Sequence, residues 1–102
     1  MATLRVTVAS PVGLHARPAA VFVQAVRSSG LPVLVSKPAE ASAPVDGRSI
    51  LAVLALDVGC GDDVELVADG ERAGDVLASL AALLADPRIG ANDGGTSVNS
   101  RG

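Results

Sequence analysis

The fold class this sequence predicts is a two-layer α+β domain, a four-stranded antiparallel sheet with helices over one face. Three observations predict it. Apolar and polar residues alternate around positions 3–8 and 63–68, the period of a half-buried strand. Apolar residues recur at helical spacing over 16–28 and 76–84. The two patterns interleave in the order β-α-β-β-α-β-α, and strands with one apolar face need amphipathic helices to cover it.

The elements follow in turn. Leu4, Val6 and Val8 share one face of a first strand, and Ser10-Pro11-Val12-Gly13 turns the chain. Ala19, Phe22, Val23 and Val26 mark the buried stripe of a first helix opposite Arg17, Gln24 and Arg27, and Gly30 stops it. Residues 31–36 read as a second strand. Residues 37–44, with Pro38 and Pro44, form a loop into a short third strand near 41–45. Asp46-Gly47 turns, and Ser49 caps a second helix running to about Leu56. Ile50, Leu51, Val53, Leu54 and Leu56 wrap that helix with more apolar surface than a small domain can hide, so part of it is core or docking patch. Val64, Leu66 and Ala68 define the inner face of a fourth strand. Val76, Leu77, Leu80, Leu83 and Leu84 form the stripe of a last helix that Pro87 ends. Residues 89–102 are glycine-rich and poor in apolar side chains, the composition of a disordered tail after a domain of residues 1–88.

Composition narrows the function classes. A chain of 102 residues makes one domain, and Phe22 is its single aromatic, so Val, Leu, Ile and Ala must build the core. The longest apolar run, Ile50 to Leu56, is far too short to span a membrane, and the N-terminus does not resemble a signal peptide; a cytoplasmic protein is expected. A net charge of −3 argues against nucleic acid or anionic lipid as a partner. The first fifty residues carry a net +3, the rest −6, and a basic first half suits an acidic partner surface. Cys60, flanked by Gly59 and Gly61 in a turn, is the lone cysteine, so neither an intrachain disulfide nor a cysteine-based metal site is expected. With one His and one Cys in separate turns, no metal or other cofactor is expected either.

Chemistry concentrates in Gly13-Leu14-His15-Ala16-Arg17-Pro18-Ala19-Ala20, which holds the only histidine. Pro18 fits the first turn of a helix, where a missing N–H is no loss. The free amides and positive dipole end there, with Ala16 and Arg17 at their centre, make an anion site suited to phosphate. The Arg17 guanidinium can clamp phosphate oxygens. A nucleophilic His15 at that helix mouth could carry a phosphoryl group. A lone histidine so placed can equally be a surface or capping residue, and spacing alone leaves both readings open.

The run Gly-Leu-His-Ala-Arg-Pro-Ala at 13–19 resembles the active-site signature of the HPr family, the histidine phosphocarriers of the bacterial phosphoenolpyruvate:sugar phosphotransferase system. Asp46-Gly47-Arg48-Ser49-Ile50-Leu51 resembles the family's segment around its regulatory serine. The resemblance covers about residues 1–88 and implies an open-faced β-sandwich with three helices on one side of the sheet. It further implies that His15, through Nδ1, accepts a phosphoryl group from phospho-Enzyme I and passes it to IIA domains of sugar permeases. On that reading the chain is a reactant and carrier, not an enzyme working alone, and a monomer. Ala20, Gln24, Arg27, Arg48, Ile50, Leu51 and Leu54 would form the face that meets both partners, Gln24 standing where many relatives carry lysine. Ser49 would be a phosphorylation site for an HPr kinase/phosphorylase. Other readings are a nitrogen-related or dihydroxyacetone-kinase phosphorelay carrier, and a regulatory HPr-like interaction module. The presence of His15 and Arg17 disfavours the last.

Overall fold

A computed structural model describes residues 1–41 and 43–90. The chain runs β1 (Ala2–Thr7), α1 (Ala16–Ser29), β2 (Leu34–Ser36), one turn of 3₁₀ helix (Pro38–Glu40), β3 (Val45–Asp46), α2 (Ile50–Ala55), β4 (Asp63–Ala68) and α3 (Ala73–Ala85). All strand pairs are antiparallel, in the spatial order β1-β4-β2-β3. β1 and β4 register Ala2 with Ala68 and Thr7 with Asp63, while β4 receives β2 on its other edge through Val35 and Leu66.

The predicted alternation sets the layers. Val64, Leu66 and Ala68 are buried on one face of β4, joined by Val33 and Val35 and by the half-buried Leu4 and Val6. Phe22, Val26, Val53, Leu77, Leu80 and Leu84 descend onto that face from the three helices, whereas Thr3, Arg5 and Thr7 stay exposed. With no large aromatic but Phe22, fully buried branched aliphatics fill the space. Each contributes about 1.5–3 kcal/mol of transfer free energy. The result is the open-faced sandwich.

Several boundaries differ from expectation, each for a local reason. β2 begins at Leu34 rather than at residue 31 because Pro32 has no N–H to give a ladder. β3 is Val45–Asp46 rather than 41–45: the chain first makes the 3₁₀ turn, which Pro38 starts and Ala41 ends in the left-handed region at φ 52°. α2 runs to Ala55 with Leu56 as its C-cap, as expected. After α3, Ile89 is buried and Gly90 closes against α1, so these two residues, placed by composition in the tail, pack within the folded body. The rest of the expected tail, 91–102, lies outside the described residues.

Candidate functional site

His15 is the N-cap of α1, in extended conformation (φ −127°, ψ 164°), and its side chain makes no capping hydrogen bond. The imidazole is therefore not used to close the helix end. It is 40% exposed and turns Nε2 toward Asp57, 3.2 Å from Oδ1. Ala16, the first helical residue, sits at φ 52°, an uncommon conformation for a residue with a Cβ. Amides of a first helical turn lack intrahelical acceptors. Ala16 and Arg17, the next two residues, are both exposed. Pro18 is buried in that turn, as its missing donor allows.

Close approach of two loops holds His15 in place. Gly13 (φ +67°) lies so near the turn after α2 that a Cβ would stand 2.2 Å from the Val58 carbonyl oxygen. The Leu14 amide donates to that same oxygen at 2.8 Å, and the Leu14 side chain is buried. The opposing turn is itself tied down. Gly61 N–H donates to the Val8 carbonyl, Val8 N–H to the Asp62 carbonyl, and Gly59 N–H to the Asp62 carboxylate at 2.8 Å. That last bond, reinforced by Lys37, holds the Asp62 carboxyl below its ordinary pKa. On the other side, Gly90 closes at φ +77° with no room for a Cβ, which would meet the Arg17 carbonyl carbon and Pro18 nitrogen at 2.9 Å. A depression of about 320 Å³ lies there, lined by Val12, Ala16, Arg17, Pro18, Pro87 and Ile89 among others.

The expected partner face is only partly one surface. Ala20, Gln24, Arg27 and Ile50 line a shared groove of about 280 Å³ between α1 and α2. Leu51 projects outward, 77% exposed, while Leu54 is half-buried against the core. The arginines also serve local structure. Arg48 forks onto Asp46 at 3.1 and 3.3 Å, holding the Asp46 carboxyl below its ordinary value, and Arg27 Nε donates to the Arg48 carbonyl at 3.0 Å. Gln24 reaches Ser28 along α1. Ser49 caps α2 as expected, its Oγ accepting from Ala52 N–H at 3.2 Å.

A family model described as "PTS HPr component phosphorylation site" matches residues 2–86. The chain belongs to the HPr family. It is 45% identical over 86 residues to the phosphocarrier protein HPr of Streptomyces coelicolor, covering 84% of this chain and 90% of that one. The HPr-like protein Crh of Bacillus subtilis is 36% identical over 84 residues, covering 82% and 95%. Among solved structures, HPr-C-His of Thermoanaerobacter tengcongensis superposes with a TM-score of 0.77 at 28% identity, over 91% of this chain and 99% of that one. Among the described residues of this HPr-family chain, no helix is long and apolar enough to cross a membrane.

Sequence reading missed Asp57, beside His15, and Lys37, which bonds to the Asp57 carbonyl. Asp57 follows an apolar helix with no periodic signal to single it out. Lys37 was legible: it continues the inward register of Val33 and Val35, and a lysine on that register must bury its ammonium with partners.

Proposed function

We propose that this protein is a phosphocarrier that takes a phosphoryl group onto His15 from phospho-Enzyme I and hands it to the IIA domain of a sugar permease, as a monomer in the cytoplasm. The observation that carries the reading is an imidazole at the open end of α1, exposed and free of any capping duty. In the forward step the Nδ1 lone pair of His15 forms a bond to phosphorus while the donor's nitrogen–phosphorus bond breaks, its electrons returning to the donor histidine. The new phosphoryl oxygens then lie against the first-turn amides and Arg17, charges of opposite sign to their own. The groove lined by Ala20, Gln24, Arg27 and Ile50, followed in sequence by the exposed Leu51, gives both partners an apolar contact beside the Arg27 guanidinium.

The deciding experiment is incubation with phosphoenolpyruvate, magnesium and a bacterial Enzyme I, followed by intact mass spectrometry beside a His15→Ala control. One added phosphoryl group, acid-labile and missing from the control, is expected. A folded protein that gains no mass sinks the reading and favours a regulatory HPr-like module.

A further inference from the structure

Resting on the reading that His15 carries the phosphoryl group, we propose that Asp57 is a positioning residue that keeps the ring proton on Nε2, leaving Nδ1 as the nucleophile throughout the transfer cycle. Lys37 in turn fixes the backbone from which Asp57 reaches.

An ionised carboxylate only accepts hydrogen bonds, and a neutral imidazole has a single N–H to give. With Asp57 Oδ1 3.2 Å from Nε2, the contact is favourable when the proton is on Nε2. The other tautomer would set a lone pair against the carboxylate. The contact thus selects which nitrogen can attack, as a carboxylate behind an imidazole does in many sites.

Stability does not account for this arrangement. The Asp57 carboxylate is 88% exposed, and an exposed ion pair contributes little to folding. Its backbone is moreover left-handed, at φ 54°, a conformation that few residues other than glycine take without strain and that aspartate tolerates better than most. A nearly buried lysine holds it there. Lys37 Nζ donates to the Asp57 carbonyl at 3.0 Å and pairs with Glu40 at 2.9 Å and Asp62 at 3.5 Å. Each ammonium hydrogen so finds an oxygen, two of them charged. The same Asp62 receives the Gly59 amide, so one cluster secures both ends of the turn facing His15.

The proton balance gives the arrangement its use. When Nδ1 bonds to phosphorus, the ring becomes a phosphoimidazolium whose positive charge is shared with the Nε2–H that faces Asp57. When the acceptor attacks phosphorus, the Nδ1–phosphorus electron pair returns to the ring, which leaves as neutral imidazole because its proton never left. No proton has to be moved in either direction.

Two variants test this. Asp57→Gly removes the carboxylate at a backbone angle glycine accepts, and Asp57→Asn keeps an acceptor oxygen without the charge. Because His15 is the only histidine, its ring nitrogens give a single pair of signals in a long-range ¹⁵N–¹H spectrum. In neutral imidazole, wild type and Asp57→Asn are expected to hold the proton on Nε2, and Asp57→Gly to shift toward the mixture of a free imidazole. Acceptance of the phosphoryl group from phospho-Enzyme I by Asp57→Gly should fall about tenfold in kcat with KM unchanged, and Asp57→Asn should recover most of it. If wild type takes up phosphoryl normally while Asp57→Gly keeps the wild-type spectrum, or loses only in KM, the proposal is overturned. If wild type takes up none, the carrier reading itself has failed, whatever the spectra show.

Discussion

At the scale of single residues, two glycines with similar backbone angles have opposite surroundings. Gly13 (φ +67°) has backbone atoms of the facing turn where a Cβ would go; Gly30 (φ +77°) has nothing within 4 Å. Gly13→Ala must therefore push the His15 loop off Val58, at a cost of roughly 2–4 kcal/mol, with loss of phosphoryl acceptance. Gly30→Ala meets only the left-handed strain, about 1 kcal/mol, and leaves the loop where it is. Urea unfolding of both variants, alongside the mass assay, checks the pair. Equal losses in the two would mean that backbone angle, not the approach of the loops, makes Gly13 necessary. Ser49 offers a milder case. Its Oγ satisfies one amide of α2, so Ser49→Ala should lower stability by about 1 kcal/mol, while Ser49→Asp, another good cap, should stay within a few tenths of wild type. A calorimetric scan in which Ser49→Ala melts with wild type would show that the bond contributes nothing. Against that baseline, any further loss of partner binding in Ser49→Asp measures what a negative charge beside Ile50 and Leu51 does.

At the scale of elements, strands and helices with clear periodicity could be read from sequence nearly to the residue. β1, α1, β4 and α3 each carry an apolar stripe whose spacing has one solution, matched by half-buried positions in β1 and buried ones in the other three. The segment between β2 and α2 could not be read in this way. Over residues 37–44 two prolines flank small, alternating alanines that carry no apolar stripe, and the bond from the Lys37 ammonium to the distant Asp57 carbonyl leaves no mark in the sequence. The candidate site divides in the same manner. His15, Arg17 and Pro18 stand together in sequence, in the run that resembles the HPr signature. Asp57, 3.2 Å from the ring, comes from another loop, and its angle of approach is set by tertiary bonds through Val58, Gly59 and Asp62. Arg27 and Arg48 were legible as exposed cations, but not as groups already engaged with the Arg48 carbonyl and Asp46.

At the scale of the molecule, the charges that lock loops to the sheet should set its pH range. Asp46 and Asp62 both titrate below the ordinary carboxylate value of 3.8, the first held by Arg48 and the second by the Gly59 amide. Groups lowered on folding stabilise above their ordinary value and lose that contribution as pH falls through the folded one. The Lys37 ammonium is raised above 10.5, chiefly by Glu40, so its contribution is complete below that value and disappears as pH rises beyond it. Melting temperature should accordingly fall at both extremes, and Asp62→Asn should lower the neutral plateau and so flatten the acid limb, since the contribution lost in acid is already absent. An acid limb of unchanged steepness in that variant would mean that other carboxylates govern it. Gly90 brings a more practical consequence. Gly90 packs against Arg17 and Pro18, so a handle joined directly after Gly90 would be tethered beside the His15 end of α1. Met1, by contrast, precedes the end of β1 that pairs with Ala68, roughly 17 Å along the strand from the end that leads to His15. Labels, immobilisation chemistry and fusion partners belong there.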